Sequence, residues 1–224
     1  MNYGEIKKCD ISSVKGSVIV KDFSKEKFKM NLKSNKVNVI KILPGGVVTA
    51  KDTAEIELDA NGEFVRNPEV DLVKVAVVER HQGTGNVACG FLKGYGIKEG
   101  AVALSVAHDS HNIIVVGVND EEMEFAVNSL IEQEGGIVLV KEGKVIESMP
   151  MPIAGLMSDQ SGEWVDQKLT DIHEKAYEEL GICGDVEPVM TLCFMSLAVI
   201  PEIKLTDMGL FDVTTFSFIP VEVE

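Results

Sequence analysis

The chain has 224 residues, 45% of them hydrophobic, and a formal net charge of −15 at pH 7, which is enough apolar matter to bury a core as one large domain or two small ones. The acidic excess opposes phosphate backbones and anionic headgroups, so neither nucleic acid nor membrane is an expected partner. No apolar run reaches the ~18 residues that a membrane span requires, and the start MNYGEIKKCD has charges where a signal peptide has its apolar stretch, so a cytoplasmic protein is expected.

Residues 1–35 mix Lys, Asp and Ser with the short patterns SVIVKDF and FKMNL and predict a ragged N-terminal segment with a strand or two and no site. From Lys36 to the end, over 36–224, the signal is that of a folded domain. KVNVIKIL is β-branched and alternating, Pro44-Gly45-Gly46 is turn chemistry, GVVTAKDTAEIELDA alternates again, and Asn61-Gly62 marks a hairpin turn, together predicting a β-meander. The apolar runs VKVAVVER, GAVALSVA and NIIVVGV then suit strands at the centre of a sheet.

Asn119 and Glu122 have capping-box spacing, and Met123, Ala126, Val127, Leu130 and Ile131 fall on one helical face before Gly135-Gly136 stops it. GIVLVKEGKVIESM predicts a hairpin turning at Glu142-Gly143, and a second helix is expected from about Ser161, burying Val165, Leu169, Ile172, Ala176 and Leu180 until Gly181. The tail from Pro188 reads as apolar and strand-like. The expected class is therefore α+β, with a mixed or mainly antiparallel sheet packed with two principal helices, and a complete (β/α)₈ barrel is excluded by helix count.

The polar chemistry concentrates in two loops. HDSHN, residues 108–112, lies between two apolar runs. In an extended chain His108, Ser110 and Asn112 would face one side, and Asp109 and His111 the other. Only a tight turn would bring both histidines to one pocket. The second loop, His81-Gln82-Gly83-Thr84-Gly85-Asn86, ends VKVAVVER; it lacks the lysine of a phosphate loop and reads as a glycine-rich connection. Because both loops follow strand-like runs, they can meet in space. His108 and His111 are weak metal candidates, since a zinc or two-metal centre wants three or more ligands per ion. Such a cluster otherwise serves as a hydrogen-bonded network that orders a loop, or contacts a ligand or another domain. His173 falls on the second helix as a surface residue, and the four cysteines (Cys9, Cys89, Cys183, Cys193) lack CxxC spacing and are expected as reduced core thiols.

Several of these segments carry a resemblance. In order, VNVIKILPGGVVT at 37–49, VVERHQGTGNVACGFLKGYGIKEGAVALSVAHDSHNIIVVGVND at 77–120, LIEQEGGIVLVKEGKV at 130–145, PIAGLMSD at 152–159 and LAVIPEIKLTDMGLFDV at 197–213 resemble the C-terminal region of bacterial adenine deaminases, of the amidohydrolase superfamily. That resemblance implies a parent reaction, the hydrolysis of adenine to hypoxanthine and ammonia. It also implies two divalent ions, manganese or iron, held by a preceding barrel whose His-x-His pair is not present here.

The chain is thus expected to carry no cofactor of its own and to be a non-catalytic accessory domain. It would partner the catalytic barrel in cis or in trans and form a homo-oligomer. His81, His108, Asp109, Ser110, His111 and Asn112 are its candidates for lining the substrate pocket or the domain interface. The alternatives are an autonomous metal-dependent hydrolase using HDSHN, and an oligomerisation module.

Overall fold

The computed structural model of the protein describes residues 10–223; Cys9 lies outside them. The strands are β1 (Lys36–Ile42), β2 (Thr49–Glu55), β3 (Glu57–Leu58), β4 (Phe64–Val65), β5 (Leu72–Val78), β6 (Val87–Lys93), β7 (Ala101–Leu104) and β8 (Ile113–Gly117). Helix α1 (Asp120–Glu132), β9 (Gly136–Lys141), β10 (Lys144–Pro150), α2 (Gly162–Glu178), α3 (Pro188–Cys193), β11 (Ile203–Thr206), β12 (Gly209–Asp212) and β13 (Ser217–Phe218) complete the order.

Eight strands form one sheet in the order β10-β9-β7-β8-β5-β6-β1-β2. Every pairing is antiparallel except β1 with β6, so the class is α+β with a mixed, mainly antiparallel sheet. β5, β7 and β8 are buried at every position, which explains why they read as unbroken apolar runs rather than as alternation.

One sheet face, with Ala76, Val78, Ala103, Ile113 and Val115, is covered by Met123, Ala126, Val127 and Leu130 of α1. The other, with Val75, Val77, Leu104, Ile114 and Val116, is covered by α2, α3 and the small sheet β11-β12-β13. The Asn119 side chain caps α1 by accepting from Glu122 N at 2.8 Å, and Ser161 caps α2 through Trp164 N, as the sequence spacing requires.

Five expectations are corrected. The described N-terminal residues form two 3₁₀ turns, Ser12–Val14 and Lys25–Phe28, and no strand; Phe28 is fully buried, so this segment is held by side-chain packing rather than by a ladder. The meander is interrupted, because β3 and β4 leave the main sheet as their own hairpin and β1 pairs in parallel with β6. The tail begins with a helix, not a strand: Pro188 sits in its first turn and Glu187 caps it, and six residues are too few to display a helical period. Cys183 is exposed in the loop after α2, whereas Cys193 is buried and Cys89 half-buried. Within α2, Ile172 and Ala176 are buried, but Val165 and Leu169 only partly so. No helix among the described residues is long and apolar enough to cross a membrane.

Candidate functional site

The two polar loops emerge from neighbouring strands. Val78, the last residue of β5, pairs with Ile113, the first of β8, so 79–86 and 107–112 lie at the same end of these two central strands. HDSHN folds as a tight turn, closed by His111 N donating to Ala107 O at 2.6 Å. His111 itself adopts φ +54, in the left-handed region. The turn places the His108 and His111 rings 5.6 Å apart, edge to face, with Phe194 against His108 at 4.9 Å. The extended-chain alternation is therefore overridden by the bend, and the two histidines share one side.

Around this turn the loops are stitched together. His81, exposed, places Nε2 2.7 Å from Ser110 O. Asn112, buried, accepts from Arg80 N through Oδ1 at 3.4 Å and donates through Nδ2 to Asp207 Oδ1 at 3.2 Å. Asn86 reaches the other oxygen of Asp207 at 3.5 Å. Asp109 and Ser110 are exposed at the tip, and the Ser110 hydroxyl accepts from Asn112 N.

Besides Asp207, three residues outside the predicted set hold this corner. Glu79, 6% exposed, folds its carboxylate back into its own loop and accepts from His81 N, Gln82 N, Thr84 N and the Thr84 hydroxyl. Burial alone would raise its pKa, but those donors outweigh it and hold the carboxyl at about 2. Arg80, 1% exposed, donates from Nε to His111 O and from Nη2 to Ala154 O at 3.1 Å. Ser105 Oγ donates to Gly155 O and accepts from Gly136 N. Arg80 sits beside His81 in the sequence, and that adjacency was the only signal pointing to it; Ser105 and Asp207 gave none.

Segments far apart in sequence, ERHQGTGN, HDSHN, PIAGLMSD and the Asp207 turn, thus converge on one corner. Burial, then His108 and Arg80, push the His111 pKa down, with Asp109 acting the other way. A resident metal does not fit the residues present. Among the described residues no three His, Cys, Asp or Glu side chains gather to hold an ion, and His108 with His111 make two donors without a third. His173 stands apart on α2, 2.5 Å from Glu187.

A family profile described as the adenine deaminase C-terminal domain matches residues 46–217. Among curated relatives, adenine deaminase 2 of Desulfotalea psychrophila is 67% identical over 97% of this chain and 38% of its own length. The adenine deaminase of Ligilactobacillus salivarius is 48% identical over 99% of this chain and 38% of its own, and adenine deaminase 2 of Carboxydothermus hydrogenoformans 45% over 95% and 37%. The chain thus spans little more than a third of the length of these relatives, and it belongs to the adenine deaminase C-terminal domain family.

Proposed function

We propose that this chain is the accessory C-terminal domain of an adenine deaminase, and that the corner of His81, His108, Asp109, Ser110, His111 and Asn112 is the face it presents to the catalytic domain. The observation that carries this reading is the convergence of ERHQGTGN, HDSHN and PIAGLMSD on one corner through bonds from Arg80 to His111 and Ala154. The long, buried strands make a rigid base, and the polar groups stand on loops at one end of it, as binding residues do on scaffolds.

In this reading the parent protein hydrolyses adenine to hypoxanthine and ammonia in the cytoplasm, as a homo-oligomer. The divalent ions, manganese or iron, and the water they activate belong to the catalytic domain in cis. This chain would supply imidazole and amide groups able to hydrogen-bond purine ring nitrogens or the adjoining loops, while the metal chemistry stays with the catalytic domain. In this reading the N-terminal entry segment over 1–35 leads into the accessory domain over 36–224.

The test is a chimera in which this chain replaces the matching part of the Desulfotalea adenine deaminase 2. Adenine turnover is measured as ammonia release for the chimera, for its His108→Ala/His111→Ala double variant and for the isolated chain. The expected result is activity in the chimera, a loss of tenfold or more in the double variant and none in the isolated chain. An unimpaired double variant would sink the assignment of the corner, and metal-dependent turnover by the isolated chain would sink the accessory role.

A further inference from the structure

Arg80 is more deeply buried than its chemistry favours. A guanidinium taken out of water needs a counter-charge or full hydrogen bonding. Among the described residues no neighbouring charge offsets its burial, and none of them offers Nη1 a hydrogen bond. A fold that needed only to fill this volume could use Met or Leu, which bring no charge to desolvate. What arginine provides and methionine cannot is a rigid fork of donors.

That fork joins two loops. Nε bonds the carbonyl of His111 and Nη2 that of Ala154, while Arg80 N bonds Asn112 and Arg80 O accepts from Ile19 N at 2.8 Å. His111 is left-handed, with φ +54, and its N–H is already tied to Ala107. With both ends of its backbone fixed, the Cα–Cβ direction of His111 is set, and from there its imidazole stands edge to face with His108, centroids 5.6 Å apart.

We propose that Arg80 is a positioning residue, which sets the place of the His111 imidazole by holding the peptide groups of His111 and Ala154 in one fork. The inference rests on the reading that this corner faces the catalytic site. It deepens that reading by naming the residue that orders it.

The experiment compares Arg80→Met and Arg80→Lys in the chimera and in the isolated chain. For Arg80→Met the expected results are unchanged sheet amides and an unfolding midpoint close to that of the parent, because relief of the buried charge and its unpaired Nη1 opposes the loss of the bonds to the His111 and Ala154 carbonyls. Amide exchange at 108–112 and 153–156 should quicken by tenfold or more, and the His111 ring resonances should shift. In the chimera kcat should fall by tenfold or more, with a smaller change in KM. Arg80→Lys keeps the charge but not the fork, and should recover less than a third of the lost kcat.

Unchanged exchange and unshifted His111 resonances in Arg80→Met would overturn the proposal, as would full recovery by Arg80→Lys, which would make the charge rather than the fork the active feature. If Arg80→Met unfolds, the Lys variant decides by the same resonances. A loosened loop with unchanged turnover would leave the positioning of His111 standing and remove the catalytic reading of the corner.

Discussion

The Cα of Gly155 rests against the guanidinium of Arg80, so closely that a Cβ built there would stand 2.7 Å from Nη1 and 3.0 Å from Cζ. Gly155 also has φ +71, which an L side chain rarely adopts. Both facts point the same way for Gly155→Ala. The backbone strain costs about 1–3 kcal/mol, and the methyl group must push the guanidinium off the carbonyls of His111 and Ala154. Urea unfolding should show a lower midpoint with unchanged slope, and the His108 and His111 resonances should move. An unchanged midpoint would mean that the PIAGLMSD loop yields without disturbing Arg80.

Ser105, fully buried just beyond β7, bridges the same loop to the sheet, since its hydroxyl donates to Gly155 O and accepts from Gly136 N. Ser105→Ala leaves both backbone groups without that partner in a dry place. The expected loss is about 1–3 kcal/mol, the usual cost of orphaned buried groups, read as a drop in the denaturant midpoint. Ser105→Cys, of similar shape but weaker as donor and acceptor, should fall between the two.

Glu79 makes stability depend on acid. Its folded pKa of about 2 lies below the ordinary 4.5, so between these values the unfolded chain binds the proton more readily. The stabilisation is complete above pH ~4.5, fades as pH falls toward 2, and is worth on the order of 3 kcal/mol by linkage. Glu79→Gln, which cannot carry the charge, should be less stable than the parent at pH 7 and should converge with it near pH 2. Parallel pH profiles for the two proteins would show that the loop does not depend on the carboxylate.

Legibility in the sequence followed physical range. Both main helices were readable because their caps and faces are local: Asn119 to Glu122 and Ser161 to Trp164 are contacts three residues apart. The strands β5, β7 and β8 were readable as apolar runs, but their order was not, since β7 pairs with β9 across the whole of α1. The residues of the corner were visible as a density of His, Asp, Ser and Asn, yet their mutual geometry depends on the bend at His111 and on Arg80, 31 residues earlier in the chain. Arg80 reads as a charged residue at a strand end, where solvent is the default, and nothing local says that it is buried. Asp207 escaped for the same reason, because its partner Asn112 lies 95 residues away.

Lys204, on β11, is fully buried, and its Nζ donates to Val47 O at 3.1 Å. Burial pushes its pKa down from 10.5 to about 8. The folded state thus disfavours the charged amine, and the unfolded chain binds the proton more readily between these values. Stability therefore rises with pH from about 8 to 10.5, and at pH 7 the buried ammonium costs on the order of 3 kcal/mol. Lys204→Met keeps the apolar stem and removes the charge. It gives up one charge-assisted hydrogen bond, worth about 1.5–3 kcal/mol. The balance favours the variant slightly at neutral pH and the parent in alkali. Thermal unfolding should place Lys204→Met at or above the parent at pH 7, with the order reversed by pH 10.5. A variant clearly less stable at pH 7 would mean that the bond to Val47, which ties the turn before β2 to β11, outweighs the burial of its charge.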